Sequence, residues 1–166
     1  MLDKCRLIYK GDIATAKFYI LVAGILLFFA VVITIWVHQI GYRILSIGLY
    51  MLAAYCLGKG FFMWFSYRQR LVFYNSLTEL NPEFQEAEKN YTEYRIHKKQ
   101  KNRRGYVYVL ILSCFFAFAG AFSSQKGLIM GTAIPIALIS GIEISMGLLT
   151  EFRLNGFLRL LRKQQS

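Results

Sequence analysis

Two ionisable residues stand inside apolar runs that carry no other charge: Lys59 within residues 44–66 and Glu143 within residues 127–150. A charge at the centre of a hydrocarbon layer costs about 3 kcal/mol on insertion scales, so such a group is paired, neutralised or used on ions and protons. Lys59 lies 16 residues after Arg43, and Glu143 lies 17 residues after Lys126. On helices running the same way, both sit about 25 Å below those markers. Equal depth and opposite sign suggest an ion pair. Gly58 and Gly60 beside Lys59, with Gly141 and Gly147 near Glu143, leave room for close helix approach. Two other uses stay open. The residues could be separate polar positions, with Lys59 snorkelling to the headgroups. They could also serve conduction or proton relay, with Glu143 facing water.

The segment around Glu143 is irregular. Pro135 removes a backbone donor and, with Gly131, predicts a bend. Thr132, Ser140, Glu143, Gly147 and Glu151 form a small, polar face at helical spacing. That face belongs towards other helices or a pore, not towards lipid. A second candidate is the basic cluster Lys98, Lys99, Lys101, Arg103 and Arg104, which precedes an apolar run. It suits an anionic leaflet, at about 1 kcal/mol per charge, or it serves only to fix topology. A third is a partner surface of Phe73, Phe84, Tyr91 and Tyr94, aromatics that could equally pack on one another.

Most catalytic signatures are missing. The sequence has no phosphate-binding loop, dinucleotide fingerprint or nucleophile elbow. Gly58-Lys59-Gly60 lies inside an apolar run and is no phosphate loop. His38 and His97 lack neighbours at metal-ligand spacing, and Arg95–His97 sits in a charged helical stretch without the setting of a nuclease. Cys5, Cys56 and Cys114 are too few and too far apart for a disulfide framework. No catalytic residue, metal or cofactor is expected.

Four apolar runs must position these groups: residues 18–37, 44–66, 106–123 and 127–150. Each has roughly the length that crosses a 30 Å hydrocarbon core as a helix. The first is longer than a signal-peptide core and is read as retained. Residues 38–43 and 124–126 are short hairpin connections, and 67–105 is the one large loop. Seventeen of the 20 Lys and Arg lie in residues 1–17, 67–105 and 151–166, against Arg43 and Lys126 on the other side. The positive-inside rule puts both termini and the large loop in the cytoplasm. Trp64, Tyr67, Tyr106 and Tyr108 at one boundary, and Trp36 and Tyr42 at the other, fit aromatic belts.

Five segments follow. Residues 1–17 are an amphipathic helix on the inner surface or a polar tail. Residues 18–66 form one transmembrane hairpin and 106–150 a second. Residues 67–105 form a cytoplasmic helical hairpin turning at Leu80-Asn81-Pro82-Glu83, where Asn81 can cap and Pro82 suits the first helical position. Its arms, 67–80 and 83–104, differ by roughly 12 Å at helical rise. Residues 98–105 are expected to absorb that difference. Residues 151–166 are a basic tail.

The fold class is thus all-α, a four-span membrane protein with a cytoplasmic helical hairpin between spans two and three. Hydrophobic residues reach 56% and charged ones 17% in this 166-residue chain, which excludes a disordered or disulfide-built protein. The net charge of +11 is accounted for by topology, so nucleic acid is not an expected partner. Two functions are expected. One is a non-enzymatic membrane protein, in a bacterial inner membrane, that self-associates and forms an oligomeric channel or pore. The other is an anchoring or accessory subunit whose hairpin docks a cytoplasmic or membrane partner, as in bacterial defence or toxin–immunity systems. Expected partners are an anionic inner leaflet, further copies of the chain and a cytoplasmic protein.

Overall fold

The computed structural model describes residues 2–77 and 81–162. It contains four long helices: α1 (Leu2–Trp36), α2 (Ile40–Ser76), α3 (Pro82–Ala121) and α4 (Lys126–Arg162). Each contains a window long and apolar enough to cross a membrane. Of the expected turn at Leu80-Asn81-Pro82-Glu83, Leu80 lies outside the described residues, as do residues 163–166 of the tail.

Each helix joins an apolar run to a polar run without a break; no Pro stands at these junctions, and α3 continues through Gly105 at its own. The ends are set by local chemistry. Gln39 and Asn81 take extended backbone angles before α2 and α3, and neither side chain makes a capping bond. Asn81 therefore does not cap as expected. Its carbonyl accepts the Gln85 N–H at 3.2 Å while Pro82 fills the first helical position, where a missing N–H is harmless. Between α3 and α4, Gln125 N–H donates to Ser123 Oγ at 3.2 Å, and the Gln125 carbonyl accepts the first amides of α4.

The helices run up and down. Backbones approach closely between α1 and α2, α2 and α4, and α3 and α4, with a slighter approach of α1 to α4; α2 and α3 do not approach this way. α3 is the peripheral member: 11% of its apolar window is buried, against 22–28% in the other three. One core cluster joins Tyr19, Ala23, Leu26, Leu49, Leu52 and Met146 in the apolar half. A second joins Cys5, Ile8, Tyr9, Tyr74, Leu154 and Phe157 at the end where the basic segments gather.

Two placements differ from expectation. Residues 2–17 are the first turns of α1 and not a separate helix on a surface. Cys5, Ile8, Tyr9, Asp12 and Ala16 repeat at helical spacing and face the bundle, so the apolar stripe meets protein. α3 also runs unbroken through residues 98–105, so no length is absorbed there. Tyr74 meets Glu88, and Tyr67, seven residues earlier on α2, meets Arg95, seven residues later on α3. That register carries the basic stretch of α3 alongside the last apolar turns of α2.

Candidate functional site

Glu143 of α4 is buried, and its Oε1 accepts from three donors on two other helices. Lys59 forms an ion pair with it. Tyr19 Oη donates at 3.0 Å and Tyr55 Oη at 3.1 Å. Tyr55 and Lys59 are four apart on α2 and so share a face. The Lys59 ammonium donates to Tyr55 Oη at 3.3 Å and lies 4.9 Å from the Tyr19 ring centroid. Side-chain exposure is 22% for Lys59 and 4% for Glu143, so the flexible cation keeps contact with the outside and the carboxylate does not. The cluster holds a charge pair in apolar surroundings and supplies donors around the carboxylate, which is what keeps an ionised Glu tolerable there.

The basic stretch splits across two faces of α3. Lys98, Lys101 and Arg104 are exposed, whereas Lys99 and Arg103, four apart, turn inward. With Lys59, Tyr106 and Glu143 they border a pocket of about 60 Å³ between α2, α3 and α4. Arg103 Nη1 donates to Glu151 at 2.6 Å, and Gln100 to the other oxygen of the same carboxylate at 2.8 Å. Among the described residues no acceptor reaches the Lys99 ammonium. Burial, and then the charge of Lys59, push its pKa below the ordinary lysine value.

A second polar constellation, at the basic end, was not expected. Asp12 is fully buried and holds two guanidinium groups, Arg95 at 2.8 Å and Arg153 at 2.5 Å. Arg153 reaches it across Gly11, where a Cβ would collide with the arginine. Arg95 also donates to Tyr67 Oη at 3.1 Å. One layer further out, Glu88 accepts from Tyr9 at 2.5 Å and from Tyr74 at 2.7 Å, and Arg70 donates to Tyr9 Oη at 3.2 Å. Burial first, and then the Glu88 carboxylate, raise the Tyr9 phenol well above its usual value, so it remains a donor. All four helices contribute. The signal available in the sequence was helical spacing: Asp12 falls on the stripe of Cys5, Ile8, Tyr9 and Ala16.

The remaining expected residues are dispersed. Tyr91 is half-buried with the Arg70 guanidinium 4.0 Å from its ring centroid, while Phe73, Phe84 and Tyr94 are exposed. Phe73 and Phe84 stand 6.1 Å apart. Ser140 is buried and donates to the Ile136 carbonyl, and Gly147 borders the small pocket. Thr132 is exposed and donates to carbonyls of its own helix. Gly131 lies against Gly41 and Leu45 of α2, and the Pro135 ring lies against Gly48. α4 continues as one helix through Pro135.

A groove of about 980 Å³ runs between α1, α3 and α4. Its floor on α4 carries Ala137, Gly141 and Ser145 at four-residue spacing, and a Cβ added at Gly141 would meet nothing within 4 Å. Cys114 lines its α3 wall, and Arg153 closes its basic end with a buried Nε that has no hydrogen-bond partner among the described residues.

Among the described residues no three His, Cys, Asp or Glu side chains gather as a metal site. Comparison with protein families, curated proteins and solved structures finds no match to this chain.

Proposed function

We propose that the chain is a non-enzymatic, multi-pass membrane protein that self-associates through the groove between α1, α3 and α4. Its orientation follows from charge: the basic end faces the cytoplasm, most simply across a bacterial inner membrane. The groove carries the reading. It extends along α4 from Ile134 to Arg153, which at helical rise is about 28 Å, the span of a hydrocarbon core. Lipid tails are as apolar as the groove, so association in a bilayer rests on close fit, and small residues facing bulky ones provide it. The complementary ridge is on the same chain. Ile111, Phe115 and Phe118 of α3, with Phe122 at its C-cap, are all exposed and repeat at intervals of four, three and four. The occupant is α3 of a second copy.

Gly141→Leu tests this, because the added side chain enters open groove and not packed protein. Counted by single-molecule photobleaching in liposomes, the wild type is expected to dimerise or oligomerise as protein density rises, and the variant to stay monomeric. A wild type that is monomeric at every density ends the reading. Conduction is the narrower claim, motivated by Lys59 and Glu143. It predicts planar-bilayer currents that Glu143→Gln alters, and their absence removes the pore while leaving self-association standing.

A second reading, an accessory subunit, is favoured by the exposed Phe73, Phe84 and Tyr94 at the basic end. Under it, Phe84→Ser in the full chain abolishes capture of a partner without changing self-association.

A further inference from the structure

We propose that the pocket bordered by Lys59, Lys99 and Arg103 binds a phosphate group. Three cations meet there, and only two carboxylates, Glu143 and Glu151, stand against them. The uncompensated charge is Lys99, half-buried and without an acceptor among the described residues. An ammonium in that position is partly stripped of water, a cost that an anion joining it would offset. Lys59 and Arg103 each keep donors beyond those used on their carboxylates, since an ammonium has three and a guanidinium five. A tetrahedral oxyanion offers each cation its own oxygen, which a flat carboxylate does not, and the arginine fork suits phosphate geometry. A pocket of about 60 Å³ takes one such group and little else.

The place matches one source of phosphate. Lys59 lies seven residues before Ser66, about 10 Å along the helix from the end of its apolar run. Lys59 and Lys99 both keep part of their side chains exposed, so the cations of the pocket can be reached by a headgroup. Lys98, Lys101 and Arg104 stand outside it and draw anions towards the opening. The phosphate is that of an anionic lipid or a free phosphate ion, and the two are separable by experiment. The site is distinct from the self-association groove, which lies between α1, α3 and α4, so failure of one leaves the other intact.

The test uses the full chain in two arms. In phosphatidylcholine nanodiscs doped with phosphatidylglycerol, native mass spectrometry counts the phosphatidylglycerol retained. In pure phosphatidylcholine nanodiscs, inorganic phosphate is titrated and the thermal midpoint recorded. Response in the first arm assigns the site to lipid, and response only in the second assigns it to free phosphate. In whichever arm responds, Lys99→Gln is expected to weaken binding about tenfold. Lys101→Gln, on the outward face, should weaken it no more than about threefold. Lys99→Arg is expected to bind like wild type, which keeps a folding defect from passing as lost binding. Equal effects of Lys99→Gln and Lys101→Gln, or no response in either arm, would overturn the proposal.

Discussion

The apolar half and the basic end of this bundle solve the same problem in different ways. In each, a buried carboxylate is neutralised from neighbouring helices. At Glu143 two tyrosine hydroxyls also donate to it directly, whereas at Asp12 the nearby Tyr67 hydroxyl is held by Arg95 instead. Around Glu143 one lysine does the neutralising, and it stays partly exposed on a flexible stem. Around Asp12 two arginines do so, and the Arg95 side chain is only 9% exposed. The difference is one of escape. Lys59 can swing towards the headgroups if its partner is lost, as a long stem allows. Arg95 is fixed between Asp12 and Tyr67 and cannot deprotonate. Burial works against its charge, and the Asp12 carboxylate together with Tyr67 and Tyr91 outweighs it, holding its pKa above the ordinary arginine value. The site that looks more costly, a charge pair in an apolar layer, is therefore the more forgiving one.

The sharpest way to break this comparison is Asp12→Asn, which strands two guanidinium groups. A loss of roughly 3–5 kcal/mol is expected, read as a fall in thermal midpoint in detergent micelles. Glu143→Gln should cost less, about 2 kcal/mol, because Gln still accepts from Tyr19 and Tyr55. If Glu143→Gln proves the more damaging of the two, the escape explanation is wrong. Reversing both members, Lys59→Glu with Glu143→Lys, is expected to recover most of what either single reversal loses; harmless single reversals would mean the pair is not holding the helices.

The smallest effect is a chemical one. Cys5 sits in the cluster beside Glu88, and its thiol is pushed up from 9.0 to about 11, by burial first and the Glu88 charge second. A raised folded pKa favours the protonated form, so its contribution to stability is complete below pH 9 and lost as pH rises through about 11. At pH 8 iodoacetamide should spare Cys5, which is buried and held protonated. In Asp12→Asn, Cys5 should become reactive as the basic end loosens. Labelling of Cys5 in the wild type as fast as in Asp12→Asn would show that this end is already open.

How legible each region was follows from contrast. Four helices of spanning length could be read from hydropathy, and Lys59 and Glu143 stood out because nothing near them in sequence was charged. Asp12, Glu88 and Arg95 did not, since they lie among other charges, and charge alone cannot say which group turns inward. The helical stripe through Asp12 could have marked it, but a polar residue on an apolar stripe also reads as an imperfect surface helix. The split of the basic cluster followed a rule that was available, four-residue spacing between Lys99 and Arg103. Its meaning needed the register of α3 against α2, which is set by long-range pairs such as Tyr74 with Glu88. Unequal arm lengths predict a break at residues 98–105, whereas the antiparallel register, which local sequence does not carry, lets α3 run on unbroken.

The distant end of the bundle carries one further consequence. There α2 and α4 touch through Gly41 and Gly127, and a methyl at Gly41 would come within 2.6 Å of the opposing Cα. Contact between bare main chains leaves no side-chain slack, so the two hairpins are clasped at that point as if by a rivet. The opposite tips are joined chiefly through long side chains, which stretch and re-pair easily. Any relative movement of α1–α2 against α3–α4 is expected to pivot about the glycine contact, with the smallest travel at Gly41 and the largest where Asp12 and Glu88 tie the two pairs together.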